Sequence, residues 1–540
     1  MNLMAGLPWR LARAARAAAS VHLMQLRRAS SRRAASPREE GANNGRSATR
    51  AGVSVVSRAI SRKLAAAQRV PEVLDFVDEF GFVFDSANEA AALWSIARLN
   101  AREASRGAHG AWADARALED DFRLRSLLSC LEARLLADRS SGRDVSHIAG
   151  AMAKLGFGAN PISSRVWGLL ARRAQQRSAD LSLRALARTA WAFATAKVGA
   201  PELFCALAHA AERRIDPFDA HAFAMIAWAF ATARAPAPEL FGAIGRAAEP
   251  CVGEVGARDL AISAWAFATA RMHAPALFCA IARSAERRVD EFNAQGISNL
   301  AWAFATSRVA APALFCKLAR AAEERAGEFG TQELANVVWA LSLPEDACAH
   351  ARTVLLLAER ALDGRTPEPA GAARRALSRE EAHAIANALL IASHCRAETE
   401  LGARIATQLE RARALAPLQA TVVSSSAHAR LSAALLGAGW AHACEVQLEG
   451  GLIVLDMACV RTRVAVEFDG PTHFLRDVAS GDDVIDGSTI SKSRVLAALG
   501  WRVHRVGYRQ WAALSSSDET RRFCDELVRT ELQSSQGVVG

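Results

Sequence analysis

The apolar positions of residues 181–395 repeat with a period far longer than one helix. Trp191, Trp228, Trp265, Trp302 and Trp339 stand 37 residues apart, in the contexts TAWAFATAK, IAWAFATAR, SAWAFATAR, LAWAFATSR and VVWALSLPE. Within a unit the pattern is helical twice over. Leu186, Ala190, Trp191 and Phe193, then Leu203, Phe204 and Leu207, fall near i, i+3, i+4 spacing, and a Gly-Ala-Pro or Pro-Ala-Pro turn divides the halves. Pro201, Pro238, Pro275 and Pro312 open the second halves, where a first helical turn tolerates the missing N–H. Each unit is therefore expected to be a helical hairpin. A lone hairpin cannot cover its own apolar face, so neighbours must stack into an α-solenoid, right-handed or gently curved. The tryptophans are expected to fill the core between repeats, with a base-stacking surface as the alternative.

Fainter copies extend the array. HAIANALLIAS puts Leu390 in the Trp phase, and Asn387 repeats the asparagine that Asn299 and Asn336 place three residues before their tryptophans. Upstream, HIAGAMAKLGF near Ile148 and NEAAALWSIARL around Trp94 read as degenerate copies, as expected of the ends of a stack. The resulting organisation is an N-terminal helical region over 51–180 and a repeat array over 181–395 with a loop-bearing insertion at about 343–380. A helical connector over 396–440 and a C-terminal domain over 441–535 follow.

From about Ala441 the long period vanishes. CEVQLEG, LIVLDMACV, RVAVEFDG and WRVHRVGY alternate or run apolar at strand length, and SKSRVLAALG reads as a helix before the last of them. This domain is mixed α/β.

Charge changes the picture by its location. The chain carries a net +10, but residues 1–70 hold 14 Lys or Arg against Glu39 and Glu40, which is +12 and leaves the remainder at −2. Global charge is thus no argument for a polyanionic partner. Residues 1–38 contain eight Arg, many Ala and Ser and no acid, the composition of a transit peptide, so residues 1–50 are read as a disordered mitochondrial address, with plastid second. A basic tail that binds a polyanion is the other reading. No run of eighteen residues lacks a charge, which excludes membrane insertion by a helix. The ten cysteines include no CxxC and no zinc-ligand spacing; reduced thiols are expected, with Cys205, Cys279 and Cys316 as small core fillers after a Phe.

Two polar features keep a fixed phase. Lys197, Arg234, Arg271 and Arg308 lie six residues after their tryptophans, and Thr195, Thr232, Thr269 and Thr306 four after. Stacking would make the cations a ladder suited to a single-stranded phosphate backbone, with the threonines facing bases. The competing reading is structural: a cation in a last helical turn offsets the helix dipole.

The C-terminal residues add a family likeness. VAVEFDGPTHFLR (464–476) and GSTISKSRVLAALGWRVHRVGYRQW (487–511) resemble the RAP domain, with Glu467, Asp469, Gly470, Pro471, His473 and Phe474, then Thr489, Leu496, Gly500, Trp501, Tyr508 and Trp511 in order. The hairpin array before it is similar to heptatricopeptide and octotricopeptide arrays and to the Fas-activated serine/threonine kinase-like mitochondrial RNA factors. The resemblance implies single-stranded RNA as partner, mRNA or rRNA, in RNA processing, mRNA stability or rRNA maturation in the mitochondrial matrix or a plastid. Ribonucleoprotein granules or ribosome-assembly factors would be further partners, and His473 and Arg494 join the RNA contacts.

RAP domains are similar in turn to the PD-(D/E)xK nuclease fold. Asp456 and Glu467 on neighbouring strands are then candidate Mg²⁺ ligands, with Asp469 and Lys492 as further catalytic candidates. The nuclease pattern wants Lys two residues after the Glu, where this chain has Asp469, and Asp469-Gly470-Pro471 is also an ordinary turn sequence. Three functions stand: an RNA binder needing no cofactor, a metal-dependent endoribonuclease, and a protein-binding helical scaffold.

Overall fold

The computed structural model describes residues 56–532, apart from 106–114, 159–160, 216–218, 345–346, 365–376, 396–398 and 417–424. The proposed transit peptide lies outside the described residues. The chain divides into two compact units, 1–214 and 215–540. Among the described residues no helix is long and apolar enough to cross a membrane.

In the first unit the degenerate copies are hairpins. Ser86–Ser105, Gly142–Lys154 and Leu183–Thr195 pack in series as first helices, and Phe122–Leu136, Pro161–Gln176 and Pro201–Glu212 as second helices. Ser141 caps its helix through a reciprocal bond with Asp144, and Ser182 accepts from Ala185 N. Trp167, from a second helix, meets Phe193 of the next first helix edge to face, ring centres 4.8 Å apart.

The second unit opens with five more hairpins: Ala220–Ala233 with Pro238–Ala248, Ala257–Thr269 with Pro275–Arg287, Ala294–Ser307 with Pro312–Glu324, Thr331–Leu341 with Ala351–Leu362, and Arg379–Ser393 with Thr399–Leu415. The turn prolines stand at the starts of the second helices, as the spacing requires. First helices pack on first helices, and second helices reach the next first helix through phenylalanine. Phe241 meets Phe267, and Phe278 meets Phe304, each with ring centres 5.0 Å apart and nearly perpendicular planes.

Four expectations are corrected here. The fully buried column is Phe193, Phe230, Phe267 and Phe304, while Trp191, Trp228, Trp265, Trp302 and Trp339, two residues earlier, are only half-buried. A step of two residues turns about 200° around the helix, so the two rings cannot share one face. By the same geometry Cys205, Cys279 and Cys316, one residue after buried phenylalanines, are exposed, whereas Leu390, in the Trp phase, is buried. Cys348 and Cys395 form a disulfide rather than two thiols. Finally, the segment read as an insertion at 343–380 supplies a second helix, Ala351–Leu362, whose Val354, Leu355, Leu357 and Ala358 are buried; residues 345–346 and 365–376 of it lie outside the described structure.

The connector divides too. Thr399–Leu415 completes the fifth hairpin, whereas Ser426–Gly437 belongs to the C-terminal module, where Leu431 and Leu435 pack with Trp440, Met457, Val464, Val466, Val506 and Trp511. That module is a four-stranded sheet in the order β2 (Ala443–Leu448), β3 (Ile453–Cys459), β4 (Val464–Asp469), β7 (Arg502–Gly507). β2, β3 and β4 are antiparallel; β4 and β7 are parallel, joined through the helix Gly487–Ala498. Alternation along β4 sends Val464 and Val466 into the core and Glu467 and Asp469 to the opposite face.

A second sheet ties the module to the array. β5 (Phe474–Asp477) pairs antiparallel with β6 (Asp483–Ile485) and parallel with β1, a two-residue strand Met272–His273 that leaves the end of the Ala257–Thr269 helix. Arg476 N donates to Arg271 O at 2.7 Å, and Val478 N to His273 O at 2.9 Å. Beside this seam Gly487 approaches the array so closely that a Cβ there would lie 1.9 Å from Ala305 O.

Candidate functional site

The four repeat cations occupy one backbone conformation. Lys197, Arg234, Arg271 and Arg308 have φ of 54°, 52°, 59° and 59°, just past the end of each first helix. Lys197 N donates to Ala194 O and Val198 N to Phe193 O; Arg234 N and Ala235 N repeat the pattern on Ala231 O and Phe230 O, closing the last carbonyls. Left-handed backbone costs a non-glycine residue about 1 kcal/mol, which is why glycine is usual there. The degenerate first helix that ends at Lys154 has Gly156 in that place, φ 74°, with the same two bonds from Gly156 N and Phe157 N. The turn itself therefore needs no cation; what Lys or Arg adds there is its side chain.

Those side chains do not form one uninterrupted row. Lys197, Arg234 and Arg308 are exposed and make no ion pair with a described acid. Arg271 is drawn into the seam, its guanidinium on Asp486 Oδ2 at 2.8 Å and Phe474 O at 2.8 Å. The expected RNA contact at Arg271 is thus replaced by an interdomain one. Of the threonines, Thr195 and Thr232 are exposed, Thr269 is half-buried and Thr306 is buried, so Thr306 cannot face a base. Arg308 and Arg494 line a cleft of about 500 Å³ at the seam, and Arg494 also donates to Leu343 O at 2.9 Å.

On the polar face of the sheet, Asp456, Glu467 and Lys492 come together. Asp456 Oδ2 accepts from Phe468 N at 2.8 Å and Asp456 N donates to Glu467 Oε1 at 3.3 Å. Lys492 reaches down from the Gly487–Ala498 helix to pair with Glu467 Oε2 and donate to Val454 O at 2.7 Å. It supplies from the helix the ammonium that the strand lacks. Burial pushes the Glu467 carboxyl above its ordinary value, against the pull of Lys492.

Asp469 does not join this trio. It is buried beside Arg505 at 2.9 Å, with His473 at 3.5 Å, and burial raises its carboxyl as well. The Asp469–Arg505 pair joins β4 to β7. His473 Nδ1 meets Thr489 Oγ1 at 3.0 Å.

The strands also bring Glu445 to the cluster. It stands on β2 at φ 54°, in the register that faces Asp456, with His428 Nδ1 3.5 Å from one oxygen. Neither carboxylate oxygen accepts a hydrogen bond among the described residues, and burial raises its pKa. Asp456 and Glu467 are the pair that could hold Mg²⁺; among the described residues no group of three or more His, Cys, Asp or Glu side chains forms a ligand set.

Residues 466–526 match the family model of the RAP domain. The C-terminal module is a RAP domain. Its matched segment starts within β4, so β2, β3 and the Ser426–Gly437 helix, which complete the sheet and the core, lie before the match. Residues 190–361 match the family model of the RNA-editing substrate-binding complex 6 protein. That segment starts beside Trp191 and ends in the Ala351–Leu362 helix, and the RAP domain docks on its third and fourth Trp units through Arg271 and Ala305.

Proposed function

We propose that this protein binds single-stranded RNA, the hairpin array following the strand and the RAP domain closing one end, as part of an RNA-processing assembly in an organelle. The observation that carries the reading is the pairing of a RAP domain with a repeat segment similar to an RNA-editing substrate-binding complex component. The geometry supports it: each strong first helix offers a half-exposed indole, and Lys197, Arg234 and Arg308 stand outward. Aromatic platforms and backbone cations are what single strands require. The mitochondrial matrix is the preferred address and a plastid the alternative; mRNA and rRNA are the substrate classes, with granule or ribosome-assembly factors as partners.

The test is a salt titration of a labelled 30-nucleotide single-stranded RNA against the full chain and a Lys197→Ala, Arg234→Ala, Arg308→Ala triple variant. Each lost phosphate contact should lower the slope of log affinity against log salt by about 0.7. A wild-type chain that ignores RNA at low salt overturns the reading and leaves the protein-binding scaffold. Fusing residues 1–50 to a fluorescent protein tests the address, and cytosolic signal removes it.

The meeting of Asp456, Glu467 and Lys492 favours a second reading, a Mg²⁺-dependent endoribonuclease. Bound there, Mg²⁺ would polarise a phosphodiester. Cleavage must require Mg²⁺ and vanish in Asp456→Ala and Glu467→Gln while RNA binding persists; cleavage that survives both removes this reading.

A further inference from the structure

A cleft of about 330 Å³ lies between the last hairpins and the RAP domain, on the other side of the Gly487–Ala498 helix from Arg494. Trp339 and Asn387, from successive first helices, line one wall; Ser488, Ser491 and Lys492 line the other. Small-ligand pockets start at about 300 Å³, so there is room for one nucleotide and none for a duplex.

We propose that this cleft holds one nucleotide of a single-stranded RNA, its base against Trp339 and Asn387 and its phosphate on Lys492 and Ser491. The proposal rests on the RNA-binding reading above and adds to it a discrete end or pause site.

The chemistry of the two walls differs in the way a nucleotide does. Trp339 is half-buried, so part of its indole remains available as a stacking surface. The Asn387 amide, with no hydrogen bond to another described residue, carries a donor and an acceptor side by side, the arrangement that reads an adenine edge. His383, one turn before Asn387, lines the same wall; burial and the nearby Arg379 hold its ring toward the neutral form, so the cation on offer comes from the opposite wall.

On that wall the Lys492 ammonium has three N–H groups, of which Glu467 and Val454 O engage two. The third is left for a phosphate oxygen. Ser491 adds a hydroxyl, and Ser488 Oγ, which donates to Asp486 Oδ1 at 2.9 Å, keeps lone pairs that suit a ribose 2′-hydroxyl. Asp456 and Glu467 do not line the cleft; Glu467 pairs with Lys492 from behind, so a phosphate bound there shares the ammonium with that carboxylate.

The experiment uses the full chain and a fluorescein-labelled 30-nucleotide RNA of random sequence, read by anisotropy and by ultraviolet crosslinking with mass spectrometry of the adducts. Trp339→Ala and Asn387→Ala should each weaken binding roughly tenfold, on the scale of one lost base platform. Trp339→Phe, which keeps an aromatic face and the fold, should retain most of the affinity, and adducts should fall on the Trp339 peptide or the 487–498 helix. Asn387→Ala should also flatten any adenine preference. If wild type binds RNA while both alanine variants, folded by circular dichroism, bind equally well and adducts map elsewhere, the cleft is not a nucleotide site although the array still reads RNA. If wild type binds no RNA, both readings fall together.

Discussion

Arg271 and Asp486 stand 2.8 Å apart across the seam between array and RAP domain, one of them the third cation of a periodic series and the other the N-cap of the helix that carries Lys492. Asp486 does two jobs with its two oxygens: Oδ1 accepts from Thr489 N at 2.8 Å, and Oδ2 takes Arg271. A change at the repeat therefore propagates to the helix above the acid cluster.

Arg271→Ala leaves the Asp486 carboxylate, 5 % exposed, without its cation. The expected loss is about 1–3 kcal/mol, allowing for screening at the one-third exposed arginine. Thermal unfolding should show it, and hydrogen exchange at Phe474–Asp477 should accelerate. In RNA titrations the same variant should change the salt slope less than Arg234→Ala does; an equal or larger change would return Arg271 to the RNA-contacting set.

Gly487 is the second lock. With Ala305 O at 1.9 Å from the place of a Cβ, even alanine must push the helix off the array. Gly487→Ala should cost about 1–3 kcal/mol through overpacking and raise proteolytic sensitivity at the seam. Wild-type stability and unchanged exchange at β1 would mean the two parts are not held together as described.

Much of this was legible in the residues because periodicity reports on burial. Four 37-residue intervals fixed the hairpins, and strand-length alternation located β2, β3, β4 and β7. What failed had identifiable causes. The tryptophan was chosen for the core by size, yet a helix turns 100° per residue, and the phenylalanine two positions on is the one that faces the neighbouring repeat. β1 is two residues long and exists only because β5 lies beside it, so no local pattern could announce it. Glu445 and Lys492 are 47 positions apart and met only once the sheet register and the helix crossing were known.

The packing distinction is measurable. Phe267 is fully buried against Phe241, so Phe267→Ala should cost about 3–5 kcal/mol by opening a cavity between repeats. Trp265→Ala, at a half-buried ring, should cost clearly less in thermal or denaturant unfolding. If Trp265→Ala is the more destabilising, the tryptophans form the column after all.

The acid cluster sets a pH dependence whose sign follows from its raised carboxyls. Burial lifts Glu445 above the ordinary Glu range, so the folded protein holds that proton more tightly than the unfolded chain does. Stability from this group is present at low pH and falls as pH rises from about 4.5 through the raised value, because the folded state must then accept a charge whose oxygens lack hydrogen bonds. Glu445→Gln removes that charge and keeps the shape. Its midpoint of thermal unfolding should sit close to wild type near pH 4 and rise above it progressively toward pH 7–8, with Glu467 and Asp469 titrating alike in both proteins. A variant that is less stable than wild type at pH 7–8 would show that the His428 contact at 3.5 Å outweighs the burial of the carboxylate.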